Sequence, residues 1–229
     1  MQFAAMNWMQ VEAYLQRDDR VVVITGACEQ HAYLSLLADI RAPLAIAEAA
    51  CEQENVPIAP PLPYGISPYF VAYPGTISLS PETFAAVVRE VLANLRRQGF
   101  KRILVSNGHG GNTGVLGPLI SEENTAHPEA RIVLFEWWRH PAVNAVAEAV
   151  GLAQYHANWS ENFPALTRIA PVPDGQKTPV LLSPGASAAA ARDVLGDGCF
   201  GGAYQAPDEA LDQFFAAAVG AMVKVLHSL

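Results

Sequence analysis

The sequence predicts an α/β fold whose parallel sheet is covered by helices on both faces. Two observations carry that prediction. Short β-branched runs alternate with helix-length stretches along the whole chain, the pattern of a sheet built from strand–helix–strand units. Two of those runs, Val21-Val22-Val23-Ile24-Thr25 and Ile103-Leu104-Val105-Ser106, lead straight into carboxylate and imidazole residues, and strand ends are where α/β proteins keep their chemistry. With 229 residues, 51% of them hydrophobic, the chain can bury one sizeable core, so we read one domain spanning residues 1–229.

A short amphipathic helix around Trp8 to Arg17 is expected to lead into a strand at Arg20 to Thr25. The Ala- and Leu-rich stretch from Ser35 to about Gln53 is helix-forming, with Pro43 near its first turns. Pro57 to Pro74 carries six prolines and little periodicity; an irregular segment of that length in a compact domain is usually functional. Ser80-Pro81-Glu82 opens the next helix as N-cap, first position and acidic first turn, and Gly99 stops it after Gln98. A strand from Arg102 to Ser106 follows, then a Gly-rich turn, a helix from about Thr113 to Asn124 and a strand from Arg131 to Glu136. Helices are further expected over Ala142 to Tyr155, over Gly185 to Leu195 and from Pro207-Asp208 to about His227.

Composition excludes several classes of function. Fourteen basic against 22 acidic residues give a net charge of −8, whereas nucleic acids and anionic membranes demand a basic footprint. No stretch approaches eighteen uninterrupted apolar residues, and the first residues have no basic, signal-like start, so a cytoplasmic protein is expected. Cys28, Cys51 and Cys199 form no Cys-x-x-Cys pair, which fits reduced thiols rather than disulfides or a thiolate zinc site. A charged fraction of only 16% with a positive mean hydropathy of +0.17 points to homo-oligomerisation.

Three short constellations could carry chemistry. Glu29 and His31 are two residues apart, so an extended backbone projects both from one face, and Asp39 follows one helical approach later. Carboxylate with imidazole suits zinc, manganese or iron; the same residues could equally serve as helix caps and a hydrogen-bonded loop histidine. His109 lies within Asn107-Gly108-His109-Gly110-Gly111-Asn112 directly after a strand, where glycines let a ligand approach closely. In His156-Ala157-Asn158-Trp159-Ser160-Glu161, Glu161 offers a further ligand and His156 a proton carrier, though Ser160 and Glu161 could equally start a short helix. Trp137, Trp138 and Trp159 could wall a pocket for a flat substrate, with core or interface packing as the other reading. Cys28 reads as a small buried residue.

Gly26-Ala27-Cys28-Glu29-Gln30-His31, Tyr73-Pro74-Gly75-Thr76-Ile77-Ser78-Leu79, Asn107 to Asn112, and His156-Ala157 with Glu161 occur in the order and spacing of the creatininase family. The chain resembles that family from roughly Trp8 to the C-terminal helix. The resemblance implies a three-layer α/β/α subunit with a mostly parallel central sheet, an assembly of several subunits, with a hexamer among the options, and two divalent metal ions that activate water to hydrolyse a C–N amide bond. By the same resemblance Glu29, His31, Asp39, His109 and Glu161 fall on metal ligands, with Asp39 bridging both ions; Glu136, by its place at the end of its strand, is a reserve ligand for the second. Where creatinine-hydrolysing members carry a glutamate two residues after the turn histidine, this chain has Gly111, which argues against creatinine itself. Tyr33 stands where a second histidine is common, and Trp159 where a second glutamate is.

The expected function is therefore a metal-dependent amidohydrolase acting on a cyclic amide or formamide of a small molecule. In that scheme His156 passes a proton to the departing nitrogen, and Gly110 and Gly111 N–H groups with the Ser78 hydroxyl and Trp159 hold the substrate. A peptidase like that of mycofactocin maturation and a non-catalytic scaffold are the alternatives within the family. Outside it stands a phosphate-binding protein using the glycine turn, which lacks a Walker lysine.

Overall fold

Alternating side chains on three strands decide the architecture. The computed structural model describes residues 1–229. Strands β1 (Arg20–Thr25), β2 (Arg102–Asn107) and β3 (Arg131–Glu136) lie parallel in the order β1-β2-β3. Val22, Ile24, Leu104 and Phe135 face one side, where they pack with helices α2 (Ala38–Glu54), α5 (Pro141–Val150) and α7 (Asp208–Ser228). Val21, Val23, Ile103, Val105 and Ile132 face the other, against α1 (Trp8–Leu15), α3 (Pro81–Gln98) and α4 (Thr113–Ala126). Period-2 strands sandwiched between amphipathic helices thus give the expected three-layer α/β/α arrangement.

Register fixes what happens at the strand ends. Thr25, Asn107 and Glu136 are direct neighbours across the sheet, so the three loops that follow open on one edge. A polar network ties those ends together beneath the site. Asn107 Oδ1 takes hydrogen bonds from Thr25 Oγ1 and Asn112 Nδ2, both at 3.2 Å, while Asn107 Nδ2 donates to Glu136 Oε1 at 2.9 Å and to the His109 carbonyl at 2.7 Å.

Three expectations need correcting, and one pair of strands is added. The stretch from Pro57 is not irregular throughout: residues 58–62 run parallel beside β1, through Ala59 N to Val22 O and Leu62 N to Ile24 O, both 2.9 Å. Prolines 57, 60, 61 and 63 cannot donate to a ladder, which hides this edge from a periodicity reading. Helix α2 begins at Ala38 rather than Ser35, because Ser35 N bonds the Thr167 carbonyl and its hydroxyl accepts from Leu37 N. The helix expected to reach Tyr155 ends at Val150, where Gly151 takes a left-handed cap. A short antiparallel pair, β4 (Gln176–Lys177) with β5 (Gly202–Ala203), joined in sequence through α6 (Ala188–Leu195), escaped the sequence reading.

Candidate metal centre

Five ionisable side chains from four separate segments converge at the C-terminal edge of the sheet. The turn after β1 supplies Glu29 and His31, the first turn of α2 supplies Asp39, the turn after β2 supplies His109, and the segment after α5 supplies Glu161. Glu29, Asp39, His31 and His109 are each no more than 6% exposed; Glu161 is partly exposed.

Asp39 lies at the centre. Its Oδ2 is 2.9 Å from His109 Nδ1, which is 3.4 Å from Glu29 Oε1. Its Oδ1 is 3.0 Å from His31 Nε2, which is 3.8 Å from Glu161 Oε2. Two clusters that could each hold a metal ion, Glu29/Asp39/His109 and His31/Asp39/Glu161, therefore share one carboxylate. Glu29, His31 and His156 form a third group with the same spacing.

Hydrogen bonds outside the cluster aim the imidazoles into it. His31 Nδ1 donates to the Glu29 carbonyl at 3.1 Å, and His109 Nε2 donates to the Ile66 carbonyl at 2.9 Å, with the Ser67 hydroxyl 3.3 Å away. With those nitrogens committed, the opposite ring nitrogens of the neutral rings carry lone pairs and face carboxylate oxygens. Backbone carbonyls orient metal-binding histidines in this way. Both oxygens of Glu29 and Oδ2 of Asp39 are buried without a hydrogen-bond partner. Unpartnered buried carboxylate oxygens are costly, and together with two inward-facing imidazoles they form a donor set suited to zinc, manganese or iron. The residues present fit divalent cations.

Proton equilibria in this cluster reflect the crowding. Burial pushes Glu29 up to about 7 against the pull of His109. Burial opposes charge on the imidazoles, yet Asp39 and the neighbouring carboxylates raise His31 to about 10, and Glu29 and Asp39 raise His109 to about 9. Asp39, which burial alone would raise, is held well below the usual carboxylate range by His31 and His109. Burial also raises Glu161. His156 moves the other way: burial first and the charge of His31 second hold it well below the usual imidazole value.

His156 sits over the cluster with its ring 4.5 Å from that of His31, stacked on Phe70 at 4.8 Å and edge-on to Phe200 at 5.3 Å. Its Nδ1 is 3.6 Å from Glu29 Oε1, and its Nε2 lies 3.0 Å from both the carbonyl and the side-chain Nε2 of Gln30. The next residue, Ala157, adopts a left-handed φ of 60°, and its N–H donates to Glu161 Oε2 at 2.6 Å. One strained residue thus connects the imidazole with the carboxylate.

A cavity of about 390 Å³ opens onto the cluster, with Pro68, Tyr69, Phe70, Trp138, Tyr155 and Phe200 in its wall. Gly110 and Gly111 line it; a β-carbon on Gly111 would overlap the Ile66 carbonyl and His109 Nε2. Four expectations fail. Trp159 walls no pocket: it is fully buried on Phe214, its Nε1 donating to the Ala153 carbonyl at 2.9 Å. Ser78 accepts from Ser67 N at 2.8 Å and donates to the Leu79 carbonyl, so its hydroxyl braces a loop outside the cavity wall. Glu136 is engaged by Asn107, by the Thr113 hydroxyl and by Arg139 at 3.3 Å, away from the cluster. Cys28 is partly exposed rather than buried. Ser67, Gln30 and Gln154 were missed as site residues. Glutamine inside the Glu29-Gln30-His31 block was the only available signal among them, since the other two come close only through the fold.

The family model described as creatinine amidohydrolase matches residues 4–226. The chain belongs to the creatininase family. Among creatininase relatives, the creatinine amidohydrolase of Pseudomonas putida is 26% identical over 153 residues, 60% of this chain and 59% of that protein. The mycofactocin precursor peptide peptidase of Mycolicibacterium smegmatis is 34% identical over 111 residues, 44% of this chain and 43% of the relative. A 3-dehydro-scyllo-inosose hydrolase of Thermotoga maritima is 27% identical over 110 residues, 47% of this chain and 35% of its own length. These alignments span less than two thirds of each relative. Similarity of fold reaches further: a manganese creatininase superposes with a TM-score of 0.84 at 22% identity, covering 99% of this chain and 97% of that one. A creatinine amidohydrolase described as putative, from Bacteroides fragilis, gives 0.76 at 22% identity over 99% and 94%.

Proposed function

We propose that this creatininase-family protein is a metal-dependent amidohydrolase that cleaves a C–N amide bond of a small molecule, a cyclic amide or a formamide. The observation that carries the reading is the position of Asp39, whose two oxygens face separate three-residue clusters. Glu29 and His109 would hold one divalent ion with it, and His31 and Glu161 a second. Relatives described as a manganese creatininase and as a Zn-Zn type fit that donor set.

Such ions supply Lewis acidity and a water that ionises near neutral pH. The remaining work falls to the chain. His156, kept neutral by burial and by His31, presents Nδ1 toward Glu29 Oε1, where it can take up a proton and deliver it to the departing nitrogen. Phe70 and Phe200 pack on that ring and fix its plane. Ala157 N–H orients the Glu161 carboxylate. Backbone N–H groups at Gly110 and Gly111 are candidates for a substrate oxygen that gains charge. Outside the site, Trp8, Ile169 and Leu181, respectively 70%, 63% and 91% exposed, support the proposal of a homo-oligomer, a hexamer among the options; a cytoplasmic location is proposed from the three free cysteines.

Elemental analysis of protein purified without chelator, beside the His31→Ala variant, tests the reading. Close to two equivalents of zinc, manganese or iron per chain, falling in the variant, together with turnover of a formamide or cyclic amide, is the expected result. A protein that takes up no metal even after reconstitution overturns it.

A further inference from the structure

One residue of the cavity wall carries a buried acceptor that nothing in the protein satisfies. Gln154 lines the cavity, and its Nε2 donates to Asn144 Oδ1 at 2.9 Å. Asn144 is oriented in turn, since its Nδ2 points at the Arg139 carbonyl at 3.4 Å. A carbonyl accepts only, so this chain of donors sets which end of each amide is which. Gln154 Oε1 is left as the free end, buried and without a partner. Leaving such an acceptor unpaired is costly, and a ligand donor that meets it gains correspondingly.

The charges around it narrow the ligand further. Of the groups that line the cavity, the carboxylates are Glu29, Asp39 and Glu161, and the imidazoles are His109 and His156; the rest are apolar, aromatic, hydroxyl or amide, with no lysine or arginine. The guanidinium groups nearby are committed elsewhere: Arg139 to Glu136, and Arg192 to the Ala72 carbonyl and the Tyr73 ring. Away from the metal cluster, an anionic substituent among Phe70, Trp138, Tyr155 and Phe200 would be desolvated without a side-chain counter-charge. Aromatic faces instead suit a flat ring.

We infer that Gln154 is a specificity residue whose Oε1 accepts an N–H of the substrate, so that the site selects a flat, uncharged, N–H-bearing cyclic amide or ureide over N-alkylated and anionic counterparts. The inference deepens the amidohydrolase reading and rests on it for the identity of the site. A polar pocket group left unpaired rejects the analogue that lacks its partner more strongly than an apolar wall does.

Tryptophan emission of the metal-reconstituted protein, with Trp138 in the wall, provides a binding readout independent of turnover. The probes are hydantoin, 1,3-dimethylhydantoin and hydantoin-5-acetate, titrated against the native chain and against Gln154→Leu, with the circular dichroism melt of each recorded. Hydantoin should bind at least about tenfold more tightly than either analogue. In Gln154→Leu the preference over the dimethyl compound should fall to about twofold, while rejection of the acetate persists. Equal binding of the dimethyl compound, equal or tighter binding of the acetate, unchanged discrimination in a folded Gln154→Leu, or no binding of hydantoin overturns the inference. Gln154→Glu, which keeps an acceptor in place, should retain the preference for N–H and serves if the leucine variant does not fold; loss of that preference in a folded Gln154→Glu also overturns the inference. The expected binding pattern without hydrolysis of any amide would count against the hydrolase alone.

Discussion

Gly108 lies so close to Asp39 that a β-carbon on the glycine would overlap the aspartate's carbonyl oxygen and stand 2.7 Å from Cγ of Pro43. Gly26, after the neighbouring strand, meets the same carbonyl. Pro43 sits four residues beyond Asp39 inside α2 and has no N–H to give it. An oxygen without its helical partner therefore rests against two glycines, and this contact seats the first turn of α2, with the Asp39 carboxylate, on the ends of β1 and β2. Gly108→Ala should destabilise the protein by about 2–3 kcal/mol and lower its metal content. Urea unfolding and elemental analysis check this, and a variant of native stability and native metal content would show that α2 can move away.

The two glutamates once open as ligands are separated by the structure. Glu161→Gln should reduce bound metal by close to one equivalent per chain, because Glu161 belongs only to the cluster with His31 and Asp39. Glu136→Gln should leave metal content unchanged, its carboxylate being held by Asn107, Thr113 and Arg139. The reverse outcome would exchange their roles.

Loss of His109 should cost metal at the site it shares with Glu29 and Asp39 while leaving the fold largely intact. His109→Ala also relieves two carboxylates of their neighbouring imidazole, so the metal-free variant should melt below the native chain. Full metal retention would remove His109 from the centre.

The pH dependence of stability should invert on metal loading. In chelator-treated protein, Glu29 at about 7, His109 at about 9 and His31 at about 10 are all raised above their ordinary values. The folded state then binds more protons than the unfolded one, so this stabilisation is complete below each ordinary value and is lost as pH rises from about 5 to about 10. Metal competes for the same lone pairs, so the gain in Tm on reconstitution should grow over that interval. Melting curves at pH 6, 7.5 and 9 with and without metal decide it; a gain that shrinks with pH would contradict the ligand assignment.

Asn107 takes part in hydrogen bonds with Thr25, Asn112, Glu136 and both backbone groups of His109. Asn107→Leu would leave several of those buried partners unpaired, for a loss of about 2–4 kcal/mol. A loss of less than about 1 kcal/mol in urea unfolding would mean that water replaces the amide.

Much of this was legible in the sequence because it is local. Short β-branched, apolar runs mark β1, β2 and β3, and Ser80-Pro81 with Gly99 brackets α3 at its observed ends. Glu29, His31 and His109 follow strands directly, so their placement at one edge comes from the parallel order itself. Trp159 misled for an instructive reason: its neighbours in sequence are site residues, yet Ala157 turns the chain left-handed and sends the indole into the core. Ser78 misled likewise, since a hydroxyl in a family motif says nothing of the partner it meets.

The sequence by itself determined the fold class, the order of the elements and which ionisable residues stand at strand ends, because each follows from side-chain periodicity and turn chemistry within a few residues. Only the tertiary structure decided that Asp39 faces two clusters, that Glu161 rather than Glu136 joins one of them, and that Gln154, a residue of the cavity wall, keeps a buried side-chain oxygen without a partner. Those outcomes depend on how closely α2 approaches the strand ends and on where segments more than a hundred residues apart come to rest, and long-range packing leaves no periodic trace in the chain.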